Sequence, residues 1–458
     1  MSGLKFTGKV FNNSNLAFNQ RMKVLKFGGT SVGSVENMRA VMDIIIDGER
    51  KIVVLSAMSG TTNSLVEISE YLYKKNKKEA EKAIGKLEEK YVKVVADLFV
   101  SAEMKEKGAK LIDKRFAEIK SFINIDFNAI GEQAILAQGE LISTALFTYL
   151  LQENGHKAAL IPALDFMKIN EYKNPDEDFI AEAVKPFMSA NEEAEIIVTQ
   201  GFICRNPEGN IDNLQRGGSD YTATLIGAAI DADEIEIWTD IDGFHNNDPR
   251  FVENTSKIEQ LSFDEAAELA YFGAKILHPS TVLPCRKKKI PVRLKNTMNP
   301  TDSGTIIASE SSGIGIKAVA AKDNITAIKI RSSRMLMAYG FLRKVFEIFE
   351  TYKTPVDLIA TSEVAVSVTI DNTSRLQEIV TDLKELGEVD VDTDMTIVSV
   401  VGHMLVKEGG AERRVLEALD GIPVRMISFG GSNHNISILI GRDDKTKALR
   451  GLSDKLFA

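Results

Sequence analysis

The apolar positions of this chain switch period in a repeating way. Lys23 to Phe27 (KVLKF) reads as a strand and Gly28-Gly29-Thr30-Ser31 as a turn; Val35, Met38, Met42 and Ile45 then recur at helical spacing behind Ser34, a good N-cap. Ile52 to Leu55 (IVVL) is a second short apolar strand, followed by small residues from Ser56 to Asn63. Strands that run into loops and then helices predict a parallel sheet covered on both faces. Between Leu65 and about Phe122 there is no proline, Ile84, Leu87, Tyr91, Val94 and Leu98 form one stripe, and Glu and Lys alternate. That pattern predicts a solvated helical hairpin packed on the sheet rather than a basic binding surface. More strands are expected at Ala158 to Ile161, Glu195 to Thr199, Glu234 to Trp238 and Pro291 to Lys295, and the alternation ends near Thr305 to Ile307.

Beyond about Ile316 the chain changes style. Ile325 to Arg331 alternates as a strand, Leu342 to Phe349 is helical, and Val356 to Ile359 and Val364 to Ile370 are strands. A similar order returns with Thr396 to Val401, a helix through Val415 and Leu416, then Val424 to Phe429 and Asn435 to Ile440. The junction Lys353-Thr354-Pro355-Val356 matches Gly421-Ile422-Pro423-Val424, so two tandem βαββ-type units of about 70 residues are predicted. The expected organisation is an arm or tag over 1–21 with Met22 as a candidate start, an α/β domain over 22–308, and two small units over 316–390 and 391–458.

Composition narrows the class. A chain of 458 residues with 44% hydrophobic and 26% charged positions, 32 Gly and 11 Pro has the balance of a soluble multidomain protein. Cys204 and Cys285 cannot build a disulfide framework, so a cytoplasmic location is expected. The net charge of −9 argues against nonspecific nucleic-acid or membrane-surface binding. No unbroken apolar run reaches the roughly 18 residues that a membrane-spanning helix needs, and no secretory signal is expected. An anionic substrate would therefore need cations gathered locally.

Four motifs could gather them. Lys26-Phe27-Gly28-Gly29-Thr30-Ser31 lies at the carboxyl end of a strand; its glycines let backbone N–H groups converge on an anion, and the next helix adds its N-terminus. Such a turn serves as a plain strand-helix link or a phosphate site, and Lys26 favours phosphate. It matches neither the Walker nor the dinucleotide fingerprint. Leu214 to Tyr221 (LQRGGSDY) repeats the arrangement with Arg216, which can grip a carboxylate or phosphate through two parallel hydrogen bonds. Trp238-Thr239-Asp240-Ile241-Asp242-Gly243 with Asn247-Asp248-Pro249-Arg250 fits either a magnesium-nucleotide site or an Asp/Gly/Pro turn. Phe272 to Pro279 (FGAKILHP) offers Lys275 as another cation. His278 precedes a proline and reads as structural; no Ser/His/Asp arrangement and no metal-ligand cluster is recognisable.

In order along the chain, KFGGTSV, the Ser59–Asn63 loop, Gly139-Glu140, QRGGSDY, WTD, DPR and FGAKILHP resemble the aspartokinases of the amino-acid kinase family, with two C-terminal ACT domains. The resemblance runs from Met22 almost to the end. It implies an α/β/α sandwich with a mainly parallel sheet plus two α+β, ferredoxin-like ACT domains. The implied reaction moves the γ-phosphoryl group of ATP to the β-carboxylate of L-aspartate, with Mg2+ as companion of ATP. That acceptor is already an oxyanion at neutral pH, so positioning and charge neutralisation suffice and no general base is required.

Carried over by motif, Lys26 resembles the residue that stabilises the transferring group, with Asp220 organising it. Gly28, Gly29, Thr30 and Ser31 would cradle phosphates. Arg216 would bind the aspartate α-carboxylate with Thr62 and Ser219, and Glu140 would receive the α-ammonium. Thr239, Asp240, Arg250 and Lys275 would belong to the nucleotide side. The family commonly has an aromatic residue two after the Gly of the WTD stretch; here His245 stands there and could stack on or bond to the nucleotide. Met335 to Phe349 and Val356 to Glu363 resemble lysine-inhibited members, which implies an L-lysine effector near Met337, Gly340, Phe341, Leu342, Val356, Asp357, Thr361 and Ser362. Asp357 is the natural partner of a cationic amino acid; otherwise it is an exposed strand-end acid. ACT units usually pair across a homodimer. The rivals are another amino-acid kinase, acting on glutamate, carbamate or a nucleotide, and a catalytically inactive amino-acid sensor.

Overall fold

The computed structural model describes residues 22–215, 217–273, 277–311, 313–335 and 339–457. An eight-stranded sheet organises the first two-thirds. Its strands are β1 (Lys23–Phe27), β2 (Lys51–Leu55), β3 (Ala158–Leu160), β4 (Ile196–Gln200), β7 (Glu234–Thr239), β8 (Gln260–Ser262), β9 (Val292–Asn296) and β10 (Thr305–Ala308), while β5 (Ile203–Arg205) and β6 (Ile211–Asn213) form a separate hairpin. The order is β3-β4-β2-β1-β7-β9-β10-β8; all neighbours are parallel except β9 and β10.

Alternation along the strands explains the sandwich. Val24, Ile52 and Val54 face one core, and Leu25, Phe27, Val53 and Leu55 face the other. From β1 the chain adds β2 on one side and later β7 on the other. The carboxyl end of β1 is therefore the switch point where a doubly wound sheet opens a crevice.

The expected helical hairpin is three helices, Thr61–Tyr73, Lys77–Leu98 and Ala102–Ser121. Asn76 and Ser101 break the run because each side chain caps the helix that follows it. On the second helix Ile84, Leu87, Tyr91 and Leu98 are buried, and Val95 is more deeply buried than Val94. The stretch Ala129–Glu153 is apolar and long enough, by length and composition, to cross a membrane. Polar Gln138 and Glu140 interrupt it, which is why no unbroken run stands out in the sequence, and 83% of its most apolar window is buried against the sheet.

The tail forms a six-stranded antiparallel sheet from β11 (Gly315–Arg331), β12 (Ile359–Thr361), β13 (Ala365–Ile370), β14 (Glu388–His403), β15 (Val424–Phe429) and β16 (Asn435–Gly441), in the order β12-β13-β11-β14-β16-β15. Here a division into 316–390 and 391–458 needs amendment. The first half of β11 pairs with the second half of β14, and the second half of β11 pairs with β13 and the first half of β14. The C-terminal unit thus takes its fourth strand from before the first unit. A four-stranded α+β unit needs that strand to complete its sheet, and a register shift between Lys322 and Ile325 lets one long strand serve both. The strand expected at Val356–Ile359 begins later, at Ile359, although Asp357 N already donates to Thr369 O at 2.8 Å.

Candidate active site

A cavity of about 490 Å³ opens at the carboxyl ends of β1 and β2. It is lined by Lys26, the Gly29–Thr30 turn, the Ser56–Gly60 loop, Thr62, Asn63, Glu140, Phe202 and Gly217–Asp220. Five segments separated in sequence meet there, forming the concave, mixed polar and apolar lining of a small-ligand site.

Lys26 occupies the penultimate position of β1, and Asp220 lies in the first turn of the helix Gly218–Ala229. Their charged atoms are 2.6 Å apart, and the side chains are only 12% and 13% exposed. The carboxylate therefore holds the ammonium at the mouth of the Gly28-Gly29 turn. That turn is drawn to the neighbouring loop: Ser59 N donates to Gly29 O at 3.1 Å, and a Cβ on Gly29 would come within 2.8 Å of Ala57 O. Only glycine permits this approach. Gly217 caps its helix in the left-handed conformation, with φ 68.

Glu140 lies in the first turn of the helix Gln138–Glu153 and is 4% exposed. Its Oε1 accepts from Ala57 N at 3.2 Å, while Oε2 is buried without a partner among the described residues. Burial pushes its carboxyl from the ordinary 4.5 up to about 7, against the lowering effect of the Ala57 hydrogen bond. Beside it Ser56 Oγ donates to Ser219 Oγ at 2.9 Å, and Ser143 Oγ holds Ser56 O at 2.9 Å. Sequence reasoning did not single out Ser56 or Phe202. Ser56 follows β2 directly, just as Gly28 follows β1, and that equivalence was the available signal.

On the side of β7, Ser31 Oγ and Thr297 Oγ1 are 2.7 Å apart, and Thr297 N donates to Thr239 O at 2.8 Å. Lys295, also missed, stacks its ammonium 4.7 Å from the centre of the Trp238 ring. Thr239 ends β7 and Asp240 follows it, exposed. Arg216 and Lys275 lie outside the described residues.

Two expected site residues sit elsewhere. Arg250 does not line the cavity: its side chain is 77% exposed and bonded to Asp248 at 2.6 Å, because the Asp-Pro-Arg turn satisfies itself. The segment around it faces the tail instead, through Asn247 Nδ2 to Leu449 O at 2.9 Å and Arg450 Nε to Phe251 O at 3.1 Å. His245 has both ring nitrogens engaged, with Thr255 and Asp242, each at 2.9 Å.

Residues 21–296 match the amino acid kinase family and residues 398–456 match the ACT domain. The lysine-sensitive aspartokinase 3 of Escherichia coli (strain K12) is 33% identical over 447 residues, spanning 95% of this chain and 99% of its own length. The chloroplastic aspartokinase 2 of Arabidopsis thaliana is 34% identical across 95% of this chain and 84% of its own. This chain belongs to the aspartokinase family. Its fold superposes on the crystal structure of E. coli aspartokinase III in complex with aspartate and ADP with a TM-score of 0.82 at 32% identity, covering 95% of this chain and all of the other. The same enzyme in complex with lysine and aspartate gives 0.79. Among aspartokinases, then, the cavity beneath the Gly28-Gly29 turn is the candidate active site.

Proposed function

We infer that this aspartokinase transfers the γ-phosphoryl group of ATP to the β-carboxylate of L-aspartate, giving 4-phospho-L-aspartate and ADP, as the first step towards lysine, threonine and methionine. The observation that carries the reading is one cavity lined both by the Lys26–Asp220 pair at its phosphate turn and by Glu140, whose buried Oε2 has no partner among the described residues. Glu140 would take the α-ammonium, Arg216 the α-carboxylate with Thr62 and Ser219, and Lys26 the charge developing on the transferring group. The related crystal complex with aspartate and ADP supports this choice of substrates.

Among the described residues no three His, Cys, Asp or Glu side chains cluster as a metal cage. Mg2+ is proposed as a companion of ATP, held chiefly by its phosphates, where it would offset their charge. ATP-dependent formation of aspartyl hydroxamate tests the activity; phosphorylation of glutamate but not aspartate would overturn it. Gly29→Ala should lower kcat/KM about a hundredfold, since its Cβ pushes Ala57 O and displaces both the phosphate turn and the backbone that holds Glu140. Steady-state kinetics beside a thermal melt checks that result.

L-lysine is the proposed feedback effector, supported by the lysine-sensitive relative and its lysine complex. Gly340 and Phe341 open the helix Phe341–Thr351, Leu342 is exposed, Val356 packs on the same small core as Phe341, and Thr361 ends β12 with Ser362 just after it; Met337 lies outside the described residues. Asp357 is not an exposed strand-end acid, for its side chain is 2% exposed. Its Oδ1 accepts from Lys322 at 2.8 Å and from Tyr271 Oη at 2.7 Å, and Oδ2 has no partner among the described residues. An effector ammonium at Oδ2 would share this carboxylate with Tyr271, which is bonded to Oδ1 and whose helix leads into the FGAKILHP segment. That gives inhibition a physical route into the catalytic domain. Asp357→Ala should raise the lysine concentration for half-inhibition about tenfold or more, while Lys322 keeps Asp371 at 2.9 Å and the fold survives. Dose-response curves with lysine, threonine and methionine check this, and inhibition by threonine alone would sink the assignment. Dimerisation through the ACT units is proposed at edge strand β15, where Val424, Ile427 and Phe429 are exposed.

A further inference from the structure

We propose that Lys90 and Tyr91, on the helix Lys77–Leu98, are positioning residues that hold the Ser59–Asn63 loop in place for aspartate; the proposal rests on the aspartokinase reading above. Within the loop the restraints are backbone turns, with Thr61 N donating to Met58 O at 3.0 Å and Ser64 N to Gly60 O at 3.2 Å. Gly60, the N-cap of the helix Thr61–Tyr73, sits at φ 78 and provides no side-chain cap. Yet Ser59, Gly60, Thr62 and Asn63 all line the cavity, so their placement decides where a substrate carboxylate would rest.

The restraint comes from the helical excursion. Lys90 Nζ donates to Ser59 O at 2.9 Å and reaches Thr61 Oγ1 at 3.5 Å. Tyr91 Oη and Thr61 Oγ1 are 2.8 Å apart, and both residues are fully buried. The two consecutive residues therefore clamp the loop on either side of Gly60. Lys90 is half-buried, and desolvation pushes its ammonium below the ordinary value. A helix rich in Glu could have offset that cost with an ion pair; this lysine instead spends its hydrogen bonds on a carbonyl and a hydroxyl of the loop. Burying a cation beside the cavity is costly for folding alone, and it suits a site that takes an anionic substrate.

The phosphate turn shares the Ser59 N to Gly29 O bond with this loop but also has anchors of its own, through Ser31 to Thr297 at 2.7 Å and Gly28 N to Trp238 O at 3.4 Å. Loss of Lys90 should therefore be felt by aspartate more than by ATP. In the full chain, Lys90→Met is expected to raise the KM for aspartate about tenfold, leaving the KM for ATP and kcat near wild type, and Lys90→Arg should recover most of the loss. Tyr91→Phe, which keeps the ring packed and removes only the hydroxyl, should move the same KM by a smaller factor.

The rise in melting temperature on adding aspartate reads the loop without turnover. It should shrink in Lys90→Met and persist in Lys90→Arg. Equal changes in both KM values, a fall confined to kcat, or an unchanged KM for aspartate in Tyr91→Phe and in folded Lys90→Met would overturn the proposal. If the wild type bound aspartate but did not phosphorylate it, the functional reading would fall while the melting shift still judged the clamp. If aspartate shifted no melting temperature in the wild type, the clamp would fall too.

Discussion

Lys26→Met should remove about 10²–10³-fold from kcat while the protein still folds. The ammonium is the cation placed at the carboxyl end of β1 beside the Gly28-Gly29 turn, and Asp220 fixes it there at 2.6 Å. Phosphoryl transfer to a carboxylate brings two anions together, so the loss falls on the step in which charge builds on the transferring group. Removing Lys26 also leaves Asp220 uncompensated and facing the phosphates, which adds repulsion. Because both side chains are only 12% to 13% exposed, the broken pair should cost about 1–3 kcal/mol of stability. Single-turnover kinetics with saturating ATP and aspartate, together with a thermal melt, measures both terms. An unchanged kcat would refute the role of Lys26, and a chain that no longer folds would show the pair to be structural first.

Glu140→Gln should separate activity from stability in opposite directions. A carboxyl raised to about 7 is largely protonated below neutrality, and only the carboxylate can pair with an α-ammonium. In the wild type, kcat/KM for aspartate should fall about tenfold for each pH unit below 7 and level off above it. The variant should lose that dependence and raise the KM for aspartate about 10–100-fold, as expected when a charge-assisted contact is removed.

The sign for stability runs the other way. Because the folded state binds this proton more tightly than the unfolded state, the group costs nothing below the ordinary 4.5, and its cost grows as pH rises towards about 7 and then stays constant. That cost is roughly 3 kcal/mol at most, and the variant escapes it. Glu140→Gln is therefore expected to melt higher than wild type at pH 8 and to lose the advantage near pH 4. A variant less stable than wild type at pH 8 would overturn the view of Glu140 as an acid held at an energetic cost for binding.

Much of the catalytic half was legible because its signals are local. A strand followed by Gly-Gly and a Ser-capped helix is written in consecutive residues, and so is the QRGGSDY turn that opens the helix Gly218–Ala229. Those segments also carry the family's motifs, so Lys26, Asp220, Glu140 and Thr62 could be named before any contact was known. The interleaved tail was less legible. Gly315–Lys322 has no repeat partner of its own, and its role as the fourth strand of the C-terminal unit depends on pairing with residues about 80 positions later, a long-range contact that local propensity cannot report.

At Arg250 the motif's residue type pointed to phosphate, and the fold adds what the sequence does not show, that the Asp-Pro-Arg turn bonds the guanidinium to Asp248. From the sequence Asp357, between Val356 and Leu358, reads either as the partner of a cationic amino acid or as an exposed strand-end acid, because nothing local reports its neighbours in space. Lys322 and Tyr271, which bury it, come from two distant elements.

The sequence by itself determined the family, the alternation of strands and helices, and the chemical types gathered for the reaction, since those are properties of composition, period and ordered motif. Tertiary structure decided which of them meet. Only packing puts Asp220 on Lys26, strips water from Glu140, and swings a charged helix round so that Lys90 and Tyr91 grip a loop some thirty residues earlier. The reason is physical: burial and pairing energies belong to a residue's neighbours in space, and those neighbours are chosen by the fold.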